Sequence, residues 1–300
     1  MPNPLLLAAA RSRRLRDVVT SVPLTRGVVD RFVAGDGLED AVGAIEALAA
    51  DGLAVTLDHL GEDTVEAGQA RDTRDAYLRM IRVLEETGLA GGADASVKLS
   101  ALGRALSEEL ALDHVRDICA AAGRAGMTVT LDMEDHTTVD STLEILGKLR
   151  ADFPWAGVAV QAMLRRSEGD LRELVGSRVR LVKGAYAEPA SVAFQSPREV
   201  DLAYVRGLRT LMDGDGYPMI ATHDPRIIEI ASALGDRRPP GSYEFQMLYG
   251  VRAAEQRRLA GQGRMRVYVP YGADWYGYFM RRLAERPANL AFFLRSFISR

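Results

Sequence analysis

Charged and polar side chains recur at the carboxyl ends of short apolar runs along this sequence. They are Asp58 and His59, Lys98 and Ser100, Asp132 and Glu134, Gln161, Arg180 with Lys183 and Tyr186, Thr222 and His223, Gln246, and Tyr268. Burying an unpaired charge is costly, so each cation in this set must face an acid or a ligand. A ring of this polarity indicates a binding or catalytic site rather than a purely structural core.

Lysine is scarce enough to be informative. The chain has three lysines against thirty-five arginines, so most positions that could carry either cation carry arginine. Lys148 lies in a helical pattern and is interpreted as a surface residue. Lys98 and Lys183 instead end the apolar runs SVKLS and RLVKG, where a solvated cation is hard to explain. Both are therefore candidates for chemistry.

The densest group of candidate residues lies near the carboxyl terminus, in YVPYGADWYGYFMRRLAE. If the chain is helical from Ala273 onward, one helix face carries an aromatic ring, two guanidinium groups and a carboxylate. These belong to Tyr278, Arg281, Arg282 and Glu285. Adjacent guanidinium groups can clamp a carboxylate or a phosphate through paired hydrogen bonds. The aromatic residues just before this face predict a partly closed pocket.

The elements that position these residues alternate regularly. Strand-like runs occupy residues 53–59, 95–100, 127–133, 157–163, 179–184, 218–223, 243–248 and 265–270, and helical patterns lie between them. Right-handed crossovers make neighbouring strands parallel, and eight such units predict a closed (β/α)8 barrel. An open doubly wound sheet is the alternative, but its G-x-G-x-x-G phosphate motif is missing.

Helix-capping residues predict where the helices begin and end. Ser107 and the pair Ser196-Pro197 are expected to open helices, and Gly88, Gly123 and Gly216 to close others. Residues 1–50 are expected to form an N-terminal helical arm, and residues 51–300 the barrel. The helix after the eighth strand is expected to lie over the barrel mouth, and a further helix is expected from Pro287.

Composition narrows the function classes. A net charge of −3 and a pI near 5.9 argue against nucleic-acid binding, which needs a concentrated basic surface. No apolar run approaches the 18 or so residues that span a bilayer, and the start lacks a signal-peptide pattern. Cys119 is the single cysteine, which suits a reducing compartment. The expected location is the cytoplasm.

Structural roles stay open for several of these residues. Asp58, Asp132 and Glu134 could be caps or ion-pair partners, His223 could orient the turn before Asp224-Pro225, and His114 and His136 are expected at the surface. A Schiff-base enzyme such as a class I aldolase could use Lys98 or Lys183. A metal-dependent hydrolase could use Asp58, His59, Asp132 and His223, but these histidines lack a close metal-binding spacing, and no metal site is predicted. A third alternative is a ligand-binding barrel with an inactive site.

Six segments, taken together and in order, resemble the motif set of the proline dehydrogenase family. They are VKLSALG at 97–103, LDMED at 131–135, RLVKGAY at 180–186, ATHDP at 221–225, YEFQMLYG at 243–250 and YVPYGADWYGYFMRRLAERPAN at 268–289. The resemblance covers about residues 50–295. Within the family, the chain most resembles the short monofunctional bacterial type, since no aldehyde dehydrogenase module follows. It implies oxidation of L-proline to Δ1-pyrroline-5-carboxylate, the first step of proline catabolism.

The resemblance also implies an FAD cofactor at the carboxyl ends of the strands. The matching positions are Met133, Gln161, Arg180, Val182, Lys183, Gly184, Ala185, Thr222 and His223, and Glu285 would orient the cofactor or the arginines. Arg180 would lie near the flavin N5 atom, where a cation stabilises the negative charge of the reduced ring. Gly184 would let the backbone approach the cofactor closely. Electrons would then pass to a quinone through a peripheral membrane contact.

The resemblance places the substrate above the flavin. Lys98, Arg281 and Arg282 would bind the carboxylate of proline, and Asp132 would anchor Lys98 or Arg282 as part of the catalytic group. Tyr186, Leu248, Tyr268 and Tyr278 would pack around the ring. Glu62, in the loop after the first strand, would pair with Arg281 as a gate. Hydride transfer from C5 requires this carbon about 3 to 3.5 Å from N5, with the amine unprotonated.

Overall fold

Eight parallel strands alternate with helices in the computed structural model, which describes the backbone of residues 29–285 and the side chains of residues 29–280. The strands are β1 (Ala54–His59), β2 (Asp94–Val97), β3 (Thr128–Leu131), β4 (Gly157–Gln161), β5 (Arg178–Val182), β6 (Tyr217–Ala221), β7 (Glu244–Leu248) and β8 (Met265–Tyr271). Each strand pairs with the next along the chain, and β8 pairs with β1. The predicted closed barrel is confirmed, and the open sheet is excluded.

Nine α-helices and one 3-10 helix are seen within residues 29–285. They are α1 (Leu38–Ala50), α2 (Ala67–Glu86), α3 (Glu108–Arg124), a 3-10 helix (His136–Thr138), α4 (Val139–Asp152), α5 (Ser167–Glu173), α6 (Pro197–Asp213), α7 (Pro225–Gly235), α8 (Ala253–Ala260) and α9 (Trp275–Glu285).

Local sequence signals account for the predicted helix starts. The side chain of Ser107 accepts a hydrogen bond from the backbone N–H of Leu110 at the start of α3. Ser196 and Glu199 form a capping box at the start of α6, and Pro197 takes the first helical position, where no N–H is needed. Both predicted starts are confirmed.

Two of the three predicted helix ends are wrong. Gly88 follows the end of α2 with a φ of +74°, as expected for a closing glycine. Gly123 instead lies inside α3, where a Cβ would come within 3.0 Å of the Trp155 ring. Helix α6 ends at Asp213, with Gly214 rather than Gly216 as its C-cap. A glycine is therefore favoured at position 123 by the close approach of the Trp155 side chain, and not by a helix-ending backbone conformation.

The two faces of the barrel wall differ in chemistry, because successive residues of a strand point to opposite faces. Val179 and Leu181 of β5 belong to the main hydrophobic core with the surrounding helices. Arg180 between them hydrogen-bonds to side chains in β2 and β7 and to Asp132, directly after β3. Since none of these strands neighbours β5, the bonds must cross the barrel interior. The apolar core therefore lies outside the wall, and the interior is polar.

The helix that covers the β8–β1 seam comes from the start of the chain. Helix α1 packs against β8 and β1, and Ala34 before it donates a backbone hydrogen bond to Pro270 at the end of β8. After β8, Gly272 adopts a φ of +124°, and the chain enters α9 instead of returning along the wall. The sequence predicted an arm on the barrel and a helix over the mouth, but it did not predict that α1 would cover this seam. Residues 1–28 and the tail helix predicted from Pro287 lie outside the described residues.

Helix α9 packs on the barrel mouth, as predicted. Trp275, Tyr276, Tyr278, Phe279 and Met280 form a second apolar cluster with Val29, Phe32, Val33 and Leu60, and Val251 and Tyr268 pack against it. Leu60 follows β1 and Val251 follows β7, so this cluster covers the carboxyl end of the barrel. From residue 29 to residue 285, no helix combines the length and apolarity needed to cross a membrane.

Candidate active site

Five side chains meet at the carboxyl end of the barrel, and we call them the mouth cluster: Asp58, Lys98, Asp132, Arg180 and Tyr268. The Nζ atom of Lys98 lies 2.8 Å from both carboxylate oxygens of Asp58 and 3.6 Å from Oδ2 of Asp132. The hydroxyl oxygen of Tyr268 lies 2.8 Å from Oδ2 of Asp58 and 2.9 Å from Oδ2 of Asp132. One phenol proton is thus shared between two carboxylates that also hold the ammonium group.

Arg180 joins the mouth cluster from the opposite side of the barrel. Its NH1 atom donates to Oδ1 of Asp132 and to Oγ of Ser96, each at 2.7 Å. Its Nε atom donates to Oε1 of Gln246 at 2.8 Å. The guanidinium carbon lies 5.3 Å from the centre of the Tyr268 ring, within cation–π range. Arg180 is 3% exposed, so these contacts fix its position firmly.

Electrostatics keep the cluster ionised. Burial alone would lower the pKa of Lys98, but Asp58, Tyr268 and Asp132 outweigh it and raise that pKa well above its ordinary value. Burial likewise would raise the pKa of Asp132, yet Lys98, Arg180 and the hydrogen bonds from Ser96 and Tyr268 lower it. Burial and the two carboxylates raise the pKa of Tyr268, so its phenol keeps its proton. Near neutral pH the cluster therefore contains charged partners and a proton-donating phenol.

A second layer of buried polar groups lies below the mouth cluster. Asp94, the first residue of β2, accepts hydrogen bonds from Thr56, Thr128, Thr130 and the NH2 atom of Arg180. Gln246 donates to Glu244, the first residue of β7. Glu244 pairs with Arg266 at 2.6 Å, and Arg266 also donates to the backbone oxygens of Val55 and Gly92. We call Glu244 and Arg266 the floor pair, because they lie at the amino-terminal end of the barrel.

The run after β5 forms an open rim. Residues 182–186 are half-buried, and Gly184 adopts a φ of +114°, where a Cβ would come within 2.4 Å of Sδ of Met163. A steric contact with Met163 thus accounts for this glycine directly. Lys183 donates to Asp201 and to Asp224. The cation that seemed hard to explain from the sequence therefore has two acidic partners at the rim.

The neighbouring strand ends carry two further candidate residues. Thr222 is 5% exposed, and its Oγ1 accepts from the backbone N–H of Asp224 at 3.1 Å. Nε2 of His223 accepts from the backbone N–H of Leu248 at 3.0 Å. His223 consequently ties β6 to β7 beside Leu248. Its neutral form carries its proton on Nδ1, which leaves that nitrogen as a donor.

A model of the proline dehydrogenase family matches residues 41–295. The chain belongs to the proline dehydrogenase family. The predicted resemblance is confirmed.

Relatives in this family match the chain along most of its length. Proline dehydrogenase 1 of Bacillus subtilis subsp. natto is 41% identical over 281 residues, which cover 92% of this chain and 92% of that protein. The proline dehydrogenase of Deinococcus radiodurans is 40% identical, with 90% of each protein covered. The bifunctional protein PutA of Escherichia coli is 27% identical over 95% of this chain, but only 26% of PutA is covered. The chain thus resembles the shorter relatives over nearly their whole length.

A solved structure shares the fold. The crystal structure of proline utilization A from Bdellovibrio bacteriovorus, inactivated by N-propargylglycine, aligns with a TM-score of 0.82 and 22% identity. The alignment covers 94% of this chain and 38% of that one. This similarity supports the (β/α)8 fold.

The structure brings together many of the residues that the proline dehydrogenase resemblance assigned to substrate binding and to catalysis. Lys98, Asp132, Arg180 and Tyr268 are in direct contact within the mouth cluster. Tyr278 is 6% exposed and lies in the apolar cluster against which Tyr268 packs. Tyr186 packs on the main core from the rim, and Leu248 ends β7. The roles of these residues stay predictions.

The cofactor positions surround the same end of the barrel. Met133 is 7% exposed directly after β3, and Gln161, at the end of β4, donates to the backbone oxygen of Glu134 at 2.7 Å. Val182 and Ala185 lie in the half-buried rim beside Lys183 and Gly184. The carboxyl ends of three neighbouring strands thus carry most of the predicted cofactor residues.

Other residues that the resemblance assigned to the site lie near the end of the described part of the chain. Helix α9 extends through residues 281, 282 and 285, so the helical spacing predicted for this segment is present. The side chains of Arg281, Arg282 and Glu285 lie outside the described residues. Glu62 follows β1, and its charge helps to raise the pKa of Lys98. Its predicted pairing with Arg281 stays a prediction.

The structure decides between roles that the sequence left open. Asp58, expected as a cap or an ion-pair partner, is the principal ion-pair partner of Lys98, and Asp132 is the more distant one. The surface position expected for His114 was wrong, because His114 is 4% exposed and its Nδ1 contacts the backbone oxygen of Leu102. His136 is half-exposed and contacts Glu188. No group of three or more acids, histidines or cysteines suited to a metal occurs among the side chains of residues 29–280.

Four residues of the barrel interior were not predicted from the sequence. Asp94, Ser96, Glu244 and Arg266 were not proposed, although they precede recognised strand-end residues by two or four positions. A strand places every second side chain on the same face, so this spacing predicts a shared inner face. The period-two pattern D-x-S-x-K at residues 94–98 would have identified Asp94 and Ser96.

Proposed function

We propose that this protein oxidises L-proline to Δ1-pyrroline-5-carboxylate with FAD bound at the barrel mouth, and that a quinone then takes the electrons. Membership in the proline dehydrogenase family supports proline as the substrate. The observation that carries the proposal is the mouth cluster. Two buried cations and a phenol are held by acids at the end of the barrel where (β/α)8 enzymes bind their substrates.

The groups near the ends of β4 to β6 fit a flavin dinucleotide by their chemistry. Arg180 offers a buried cation, and Lys183 offers a second cation at the rim. In the described part of the chain, no acceptor takes a hydrogen bond from the backbone N–H of Gly184 or Ala185. Successive free N–H groups beside a positive-φ residue suit an anionic group such as a phosphate.

These groups define the proposed cofactor site. When bound, FAD would supply an acceptor for the hydride that leaves C5 of proline. The residues proposed to hold it are Met133, Gln161, Arg180, Val182, Lys183, Gly184, Ala185, Thr222, His223 and Glu285. The buried guanidinium of Arg180 would stabilise negative charge on the cofactor.

Charge balance explains why the substrate needs residues beyond the mouth cluster. Lys98 is already matched by Asp58, and Arg180 by Asp132 and Asp94. With three acids against two cations, this set is already net negative, so an added carboxylate requires further cations. Arg281 and Arg282 lie three and four residues after Tyr278 on α9, the spacing that places side chains on a common helix face. We propose that they bind the proline carboxylate together with Lys98.

Apolar and aromatic groups would complete the substrate pocket. Tyr186, Leu248, Tyr268 and Tyr278 approach the mouth from the β5 rim, β7, β8 and α9, and they would pack on the proline ring and exclude water. Asp132 would act by holding Arg180 and the phenol of Tyr268. Glu62 would close the pocket by pairing with Arg281.

The protonation state of Lys98 separates this proposal from a Schiff-base mechanism. Imine formation needs a neutral amine, whereas Asp58 and Tyr268 keep the pKa of Lys98 well above its ordinary value. Lys98 is therefore suited to binding an anion. The proline amine must lose its proton before the C5 hydride leaves, and Lys98, which is already protonated, cannot accept that proton.

The test is spectroscopic. The purified protein is expected to be yellow with bound flavin, and anaerobic addition of L-proline is expected to bleach the flavin bands. Protein that stays colourless after reconstitution with excess FAD would contradict the proposal. Flavin that proline does not bleach, with no proline-dependent reduction of a quinone analogue, would favour an inactive binding barrel.

Two of the three lysines form a matched pair for this test. Replacing Lys98 with Met removes one cation from the carboxylate site and should raise the proline concentration for half-maximal bleaching about 10- to 100-fold, corresponding to roughly 1.4 to 2.7 kcal/mol. Lys148→Met makes the same chemical change on α4, where the ammonium pairs with Glu144 at the surface. Equal effects of the two substitutions would exclude Lys98 from the substrate site.

A further inference from the structure

Asp94 has no part in the proposed reaction, yet it is the most enclosed acid in contact with Arg180. Its side chain is fully buried at the first position of β2. Oδ2 accepts from NH2 of Arg180 at 3.0 Å, from Thr56 at 3.1 Å and from Thr130 at 3.0 Å. Oδ1 accepts from Thr128 at 2.6 Å. Every close contact thus stabilises an ionised carboxylate beneath the mouth cluster.

Arg180 is the one cation that hydrogen-bonds to Asp94 among the described residues. The other three donors are threonine hydroxyl groups, which orient the carboxylate without neutralising it. Arg266 is also near enough for its pKa to be raised by Asp94, but its hydrogen bonds go to Glu244 and to backbone oxygens. In a buried site little solvent screens the pair. The charge of Asp94 therefore acts mainly on the guanidinium of Arg180.

We propose that Asp94 is a positioning residue that holds Arg180 in place, offsets part of its charge and thereby sets the redox potential of the flavin. The inference rests on the proposed function, because it requires a flavin beside Arg180. A guanidinium near the flavin favours the reduced, more negative ring. A carboxylate on the far side of the guanidinium reduces that effect, so Asp94 keeps the potential lower than Arg180 alone would.

The direct test replaces Asp94 with Asn, which keeps an oxygen acceptor for Arg180 but removes the charge. The flavin midpoint potential of the holoenzyme is expected to shift to more positive values. We expect about a tenfold change in the equilibrium constant for two-electron reduction, which corresponds to about 30 mV. The visible spectrum of the oxidised flavin provides an independent check that the cofactor is bound.

Glu244→Gln is the matched control. Glu244 is equally buried, begins β7 as Asp94 begins β2, and also pairs with an arginine. It reaches Arg180 only through Gln246. Both substitutions should lower stability, but Glu244→Gln should move the potential by less than a third of the Asp94→Asn shift. Equal shifts would show that any buried charge loss has this effect and would overturn the role of Asp94.

Thr56→Val gives a second test if Asp94→Asn does not fold. Thr56 Oγ1 donates to Asp94 Oδ2, and valine has nearly the same shape without the hydroxyl. With one donor fewer, the carboxylate interacts more strongly with Arg180, so the potential should shift to more negative values. If the wild type binds flavin but neither Asp94→Asn nor Thr56→Val shifts the flavin potential, this inference alone is overturned. A wild type that binds no flavin would overturn the proposed function as well.

Discussion

The inner and outer faces of the barrel wall are built from alternating residues of the same strands but do different work. On β5, Val179 and Leu181 are buried against helices, at 0% and 1% exposure. Arg180 between them is 3% exposed, yet it hydrogen-bonds to Gln246 and Ser96 and lies over the Tyr268 ring. One strand thus supplies the apolar core on one face and the candidate site on the other.

The difference shows where function overrides the usual composition of this fold. Barrel interiors are ordinarily filled by layers of branched apolar side chains. Buried ion pairs contribute no more stability than well-packed apolar groups of similar volume. The interior of this barrel nevertheless carries the mouth cluster, Asp94 and the floor pair. Stability therefore rests on the outer face, and the polar interior is best explained by the chemistry at the mouth.

The largest effect should come from removing the inner-face residue of β5. Arg180→Met is expected to lower the rate of flavin reduction by proline about 10²- to 10³-fold, the usual cost of losing one preorganised electrostatic contact. Stopped-flow measurement of anaerobic bleaching gives this rate directly for the flavin-bound fraction. A rate within threefold of the wild-type rate would show that Arg180 has no role in flavin reduction.

The adjacent outer-face residue should show the opposite behaviour. Leu181→Ala creates a cavity against the helices and should lower the free energy of unfolding by about 2 to 5 kcal/mol. Urea denaturation measures this loss. Turnover per folded, flavin-bound molecule should stay within twofold of the wild type. A large fall in turnover at unchanged stability would contradict the division between the two faces.

The strands and most helices were predictable because their signals are local. Apolar runs of strand length alternate with three- and four-residue helical periodicity, and Ser107 and Ser196 mark helix starts. The position of α1 on the β8–β1 seam was not predictable in this way. It depends on packing between α1 and two strands that are far apart in the sequence, which is a tertiary feature.

The candidate-site residues at the carboxyl ends of the strands were predictable, but those deeper in the barrel interior were not. Strand-end residues such as Lys98 and Arg180 stood out because polar groups there are unusual. Asp94 lay just before the predicted strand run 95–100, and Glu244 lay inside the run 243–248 but at its amino-terminal end, where no site residue was expected. His114 was misplaced because a lone histidine was weighed by type alone. Its helix position beside Ala111, Val115 and Ile118, all buried, indicates the core-facing side of α3.

A smaller effect is expected at the phenol that joins the two carboxylates of the mouth cluster. Tyr268→Phe removes the proton shared by Asp58 and Asp132 while keeping the ring over Arg180. Hydrogen bonds to charged groups contribute about 1.5 to 3 kcal/mol, so proline oxidation should slow about 10- to 100-fold. Tyr204→Phe, which removes a buried phenol bonded to backbone oxygens outside the cluster, is the control for stability alone.

The smallest effect should appear in the acid dependence of stability, which tests whether the inner face carries ionised acids. Lys98 and Arg180 lower the pKa of Asp132 despite its burial, and Arg266 does the same for Glu244. Their unfolded values are about 3.9 and 4.3. The stabilisation is therefore complete above these values and is lost as the pH falls through the lower folded values. Unfolding free energy should decline below about pH 4, and Asp132→Asn should flatten that decline.

Asp113→Asn, at an exposed position on α3, should leave the slope as in the wild type. An unchanged slope in Asp132→Asn would mean that the inner-face acid is not held ionised by its neighbours.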